Sequence, residues 1–328
     1  MQIQKLIETI EMYAPPEYAL EWDRCGIQVA GTKQDIKKMA MALDPDEKTI
    51  EQAISLQADF LLTHHPLSLK PRLPDKPDSF HKILKNLLAS DTTLYSAHTS
   101  LDVNPRGPAT WLAQSLALEN LSVLEPVSCA DAVKLHFQHP LPLSADQLPC
   151  RYSLLHTAEN DKSQVTEIVL PRNILDLFTK KLKGMVWPFY FLISEDTGID
   201  LQFGLGFRGT LAEPAPFDIF INNLKNILGI DSIIQCGDSP DTVSTVSCCP
   251  GSGGDFAGRA FASGSQVFIT GDIKYHQAKD AALHGCVLDV GHFILEEKMM
   301  LEWSVILKHH LSDMDIVFIK GEQPFRIL

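Results

Sequence analysis

Short apolar runs alternate with stretches of helical spacing along most of the chain. Ile3, Leu6, Ile7 and Ile10 recur at helical intervals, with Glu8 and Glu11 between them. That spacing predicts an amphipathic helix at the start. Residues 39–43 and 59–63 are apolar runs of strand length, and Ile50, Ala53, Ile54 and Gln57 keep helical spacing between them. Asp44-Pro45-Asp46 reads as a turn and helix start. A Pro/Lys-rich loop follows at 71–77, then a helix near 79–89, a strand at 92–96 and a helix near 109–118. The C-terminal third repeats the rhythm. Strands at 242–247, 266–270, 286–290 and 315–319 alternate with helices, among them 275–283 and a long one at 293–310.

Strands alternating with helices predict βαβ units and an α/β fold. Residues 59–65 also resemble 266–272, since each is an apolar strand running into polar residues after a strand–helix unit. We therefore expect two similar β/α lobes with mixed or mostly parallel sheets. Between about 129 and 207 the rhythm fades and Pro140, Pro142, Pro149, Pro171 and Pro188 gather. A strand at 164–170, a helix at 174–183 and a strand pair at 187–193 and 199–207 predict an inserted small α+β subdomain. The expected division is a core of 1–127 and 208–328, with the insert at 128–207.

Composition narrows the function. A hydrophobic fraction of 45% over 328 residues supports a sizeable core. A net charge of −13 with no dense Lys/Arg run argues against a nucleic-acid-binding protein. Seven cysteines without a C-x-x-C pair suggest neither a disulfide framework nor a zinc ribbon. No apolar run reaches the ~18–20 residues of a membrane span. With no signal-peptide pattern at Met1, the expected compartment is the cytoplasm.

The chemistry gathers at strand ends, where open parallel sheets bind ligands. His64, His65, His98, Asp102, Asp272 and His292 all lie there. Adjacent side chains on extended backbone diverge, so His64 and His65 suit two neighbouring ions better than one. His292 and Glu296 are four apart at a helix start and share a face. Imidazole with carboxylate suits zinc, iron or manganese. Each signal has a plainer reading: surface histidines, an exposed helical His–Glu pair, an Asx turn at Asp102. His98 could be a ligand, a ligand-orienting group or an acid/base group. Asp272 and His276, also four apart, could face the same site. The glycine-rich loop from Cys248 to Gly254 could cradle a phosphate or carboxylate, or simply turn tightly.

Five segments occur in a telling order: Trp22-Asp23-Arg24-Cys25-Gly26, Thr63-His64-His65-Pro66, Ala97-His98-Thr99-Ser100-Leu101-Asp102, Thr270-Gly271-Asp272-Ile273-Lys274-Tyr275-His276, and Gly291-His292 with Glu296. Together they strongly resemble the NIF-three-like family of dinuclear metal centre proteins, also described as GTP cyclohydrolase I type 2 homologues. The resemblance covers 1–127 and 208–328. It implies a two-lobed protomer in a toroidal homohexamer. It also implies two divalent transition metal ions, with His65 and Asp102 on one, His64 and His292 on the other, and Glu296 bridging. Arg24, Ser100 and Gln277 depart from the usual motifs, around the metal site rather than in it. The resemblance favours a metal-dependent hydrolase acting on a nucleotide or other anionic small molecule, with His98 and Asp272 as acid/base or ligand-orienting residues. The alternative is a non-enzymatic ring-shaped scaffold or regulatory protein.

Overall fold

The computed structural model describes residues 1–137, 154–160, 163–172, 175–183, 191–194 and 201–325. The first lobe runs α1 (Ile3–Glu11), β1 (Gly26–Val29), β2 (Lys38–Ala42), α2 (Glu47–Ser55), β3 (Phe60–Thr63), α3 (Ser79–Ser90), β4 (Thr93–Ser96), α4 (Thr99–Asp102) and α5 (Trp111–Ser115). β5 (Glu119–Ala130) leads to β6 (Ala132–Phe137), β7 (Leu154–Asn160), β8 (Ser163–Pro171), α6 (Leu175–Lys183) and β9 (Phe191–Ser194). The second lobe follows with β10 (Leu201–Pro216), α7 (Phe217–Leu228), β11 (Ile234–Cys236), β12 (Thr242–Cys248), α8 (Ala257–Ala262), β13 (Val267–Thr270), α9 (Tyr275–Ala281), β14 (Cys286–Asp289), α10 (His292–His310) and β15 (Asp315–Phe318).

The lobes share one plan. In the first sheet, ordered β1-β4-β3-β2-β15, strands β2, β3 and β4 are parallel and β1 is an antiparallel edge on β4. In the second, ordered β11-β14-β13-β12-β10-β5, strands β12, β13 and β14 are parallel and β11 is an antiparallel edge on β14. All four residues of β3 and of β13 are buried, as continuous apolar runs in central parallel strands should be.

The connections then cross. β15, which follows the second lobe, pairs with β2 of the first. β5, which follows the first lobe, joins the second sheet through β10. α10 leaves the second lobe, packs against β2 and β15, and buries Leu295, Met299, Met300, Trp303 and Leu307 in a core common to both lobes. Trp111 fastens this packing by donating from Nε1 to the Leu295 carbonyl at 3.0 Å.

Several expectations shift. The strands expected at 187–193 and 199–207 are not partners. β9 pairs with β6 in the antiparallel sheet β7-β8-β6-β9, whereas β10 pairs with β5 and β12. Residues 201–207, expected in the insert, are thus strand residues of the second sheet. Residues 187–190 and 199–200, assigned above to strands, and 174, assigned to a helix, lie outside the described residues. The helix expected at 109–118 is a 3-10 turn (Pro108–Thr110) followed by the short α5, which ends before Ala117 turns to φ 51. The expected loop at 98–102 contains one helical turn, α4. Among the described residues no helix is long and apolar enough to cross a membrane.

Candidate metal centre

Parallel registry carries the ligand-type residues to one rim. The last pairs across the sheets are Thr63 with Ser96 and Thr270 with Asp289, so the polar residues that follow leave the same ends of the strands. The His64 and His65 amides extend the ladder to Ala42 and Leu43 at 3.3 and 3.0 Å. His64 is fully buried, and its ring centroid lies 5.0 Å from that of His65 with the planes tilted by 49°.

Each histidine is anchored through Nδ1. His64 Nδ1 lies 2.9 Å from the Ala97 carbonyl oxygen, so Nδ1–H donates and Nε2 keeps its lone pair. His65 Nδ1 lies 2.6 Å from Asp44 Oδ1, His292 Nδ1 2.9 Å from Asp272 Oδ2, and His98 Nδ1 2.9 Å from Asp23 Oδ1. Three of the four imidazoles are therefore held by an aspartate, leaving Nε2 for the centre.

Glu296 sits between the lobes. Its Oε2 is 2.7 Å from His292 Nε2 and 3.1 Å from His65 Nε2, and its Oε1 is 3.9 Å from His64 Nε2. Asp102 Oδ1 is 3.7 Å from His64 Nε2. The pairing implied by the resemblance set His65 with Asp102 and His64 with His292. All five residues come together here, with His65 and His292 at one oxygen of Glu296 and His64 near Asp102 and the other oxygen.

Four atoms here are buried without a hydrogen bond: His64 Nε2, Asp102 Oδ1, His292 Nε2 and Glu296 Oε2. Buried polar atoms are normally satisfied, and each orphan costs roughly 1–3 kcal/mol. Glu296 Oε2 has two imidazole nitrogens within 3.1 Å, close enough to pair electrostatically but not aligned as hydrogen bonds. The atoms stand abreast, as ligands around a shared cation do. His65, His292 and Glu296 form one group that could hold a metal ion, and His64, His65 and His98 another.

The electrostatics agree with a cation site. Burial drives His64 down to about 3 and keeps it neutral. Burial also opposes the charge on His65, but the Asp44 and Glu296 carboxylates outweigh it and push the group up to about 10. Glu296 pushes His292 up to about 9 against burial, with Asp272 adding. Burial raises Asp102 above the ordinary carboxylate range. The Glu296 carboxyl is held below that range, because His292 and His65 outweigh its burial.

The neighbouring loops explain the remaining motifs. Gly251 has φ +67, and a Cβ there would meet Glu296 Oε1 at 2.5 Å. A Cβ on Gly271 would meet the His292 amide nitrogen at 2.4 Å. The glycine-rich loop thus lies directly over the carboxylate, and its Gly253 N–H is taken by Thr270 Oγ1 at 3.0 Å. Ser252 Oγ reaches Asp272 Oδ2 at 3.3 Å. His276, considered above as a site residue, is exposed and its ring meets Tyr275. Two anchors escaped the sequence reading. Asp44 stood out only as a turn residue, although it follows a strand end like the histidines. Asp23 stood out only as part of a motif.

A family model, Duf34/NIF3 (NGG1p interacting factor 3), matches residues 1–324. The chain belongs to the DUF34/NIF3 family. Among its relatives are proteins named GTP cyclohydrolase 1 type 2 homolog. The one from Listeria innocua is 29% identical, covering 89% of this chain and 88% of its own. The one from Bacillus subtilis is 27% identical, covering 91% and 90%. A Bacillus cereus protein related to NIF3 has the same fold, with TM-score 0.77 and 23% identity over 100% of this chain and 99% of that one. Reduced HcgD from Methanocaldococcus jannaschii superposes with TM-score 0.67 at 24% identity, covering 98% of each chain. The two-lobed NIF3 fold is the architecture described above.

Proposed function

We propose that this NIF3 protein holds two divalent transition metal ions and is a hydrolase of a nucleotide or other anionic small molecule. The ligands in this reading are His64, His65, Asp102, His292 and Glu296. The observation that carries it is the set of four buried atoms without hydrogen bonds, facing one another across the two lobes. Adjacent divalent ions, when bound, supply Lewis acidity and neutralise charge developing on a substrate oxygen. The chain supplies the rest. Neutral His64 keeps a lone pair on Nε2, Glu296 offers one oxygen to each side, and Asp44 and Asp272 fix the rings of His65 and His292. Asp272 is a positioning residue in this scheme.

The names of the relatives make GTP the first substrate to try. A ring-shaped homohexamer in the cytoplasm completes the reading. Self-association is supported by α10, whose Leu301 and Val305 are exposed beside a groove lined by Pro108, Trp111, Glu302 and Ile306.

The test is elemental analysis of the purified protein, followed by a nucleotide panel on the metal-loaded form with His64→Ala as control. About two ions per chain and metal-dependent turnover are expected. Turnover that survives metal removal would sink the hydrolase reading. A protein that cannot be loaded would sink the metal site. Sedimentation equilibrium reads the oligomeric state.

A further inference from the structure

His98 repeats the construction of the ligand histidines. Its Nδ1 donates to a carboxylate, as those of His65 and His292 do. That carboxylate, Asp23, is fully buried and otherwise committed. It accepts from the Arg24 amide at 2.7 Å, the Thr99 amide at 2.9 Å, the Thr99 hydroxyl at 2.5 Å and the Cys25 thiol at 3.2 Å. A carboxylate pinned this firmly fixes both tautomer and ring plane, the role that carboxylates behind metal-bound histidines play. The ring is in place too. Its centroid is 5.1 Å from that of His64 and 5.5 Å from that of His65, edge-on to both. Ligand nitrogens of the three residues lie within 4.8 Å of one another. Two nitrogens on one ion, each at ~2.1 Å, stand at most ~4.2 Å apart, so a small inward movement of the His98 ring brings its nitrogen onto an ion held by one of these two neighbours.

We infer that His98 is a sixth protein ligand of the centre, binding through Nε2 on the His64–His65 side with Asp23 as its positioning residue. The inference rests on the metal-binding reading above. It goes beyond that reading by enlarging the ligand set and by giving the Trp22-Asp23 motif a task. Trp22 itself is exposed and edge-on to His98, with ring centroids 5.9 Å apart, so this ligand would stand at the mouth of the site.

The test is proton NMR of the full chain loaded with cobalt(II) alone. A histidine bound through Nε2 keeps its Nδ1–H, which appears as a strongly shifted, exchangeable signal. Four such signals are expected from His64, His65, His98 and His292, and three after His98→Ala. Three in the unsubstituted protein would overturn the inference without touching the five-ligand site. Failure of the protein to take up cobalt at all would remove the metal reading beneath it. Asp23→Asn is expected to shift one signal of the four and to weaken one ion on the order of 10–100-fold in chelator competition. Unchanged affinity and an unchanged spectrum in that variant would also count against it. The signal count in the unsubstituted protein stands even if His98→Ala folds poorly.

Discussion

Gly251 lies against Glu296 so closely that a methyl group at position 251 would stand 2.5 Å from Oε1. Its φ of +67 adds a second bar to any side chain. Gly251→Ala is therefore expected to destabilise the fold by about 1–2 kcal/mol through the backbone alone. It should also push Glu296 out of place and weaken metal uptake. Thermal melts with and without metal separate the two effects. The metal-induced rise in Tm should shrink more than the metal-free Tm falls, and an unchanged rise would refute the contact.

Metal uptake should release protons. Neighbouring carboxylates push His65 up to about 10 and His292 up to about 9, favouring the charged forms. Both must lose a proton to bind a cation. Two or more protons per chain should appear on loading at pH 7, with Asp102 contributing in part because burial raises it. Affinity should climb with pH and level off once both groups are neutral. Calorimetry in buffers of different ionisation enthalpy measures the count. Zero release at pH 7 would contradict the assignment.

Asp44 and Asp272 hold rings without touching the centre. Asp44→Asn and Asp272→Asn are each expected to leave the fold intact and to lower metal affinity on the order of 10–100-fold. Competition against a coloured chelator gives the number. Affinity within a factor of two of the unsubstituted protein would assign these contacts to the surface alone.

Asp59 ties the starts of two strands together. It accepts from Lys33 Nζ at 2.9 Å and from the Lys37 and Lys38 amides at 2.9 and 3.2 Å. Burial raises its pKa, but these bonds outweigh burial and hold it below the ordinary range. A depressed folded-state value means stabilisation that is complete above the unfolded value of ~3.9 and lost as pH falls through the lower folded one. Asp59→Asn should cost about 1–2 kcal/mol at neutral pH and less in acid. Urea unfolding from pH 7 to pH 3 follows the difference, which must narrow as pH falls.

The β/α rhythm, the likeness of 59–65 to 266–272 and the strand-end position of the histidines were all legible in the sequence. They depend on periodicity and on the rule that parallel strands end together, which are local or nearly local properties. The His292–Glu296 pair was legible for the same reason, since helical spacing alone puts both on one face. Tertiary structure decided everything that depends on distant segments meeting. It took residues 201–207 of β10 from the expected insert into the second sheet and gave β15 to the first lobe. It made Asp44 and Asp23 the anchors of His65 and His98, although each had a sufficient local explanation as a turn or motif residue. It also set the partners of Glu296, because the distance from His65 to Glu296 depends on how α10 packs against β2. No spacing along the chain encodes that packing; it follows from burying Leu295, Met299 and Trp303 in a core that both lobes share.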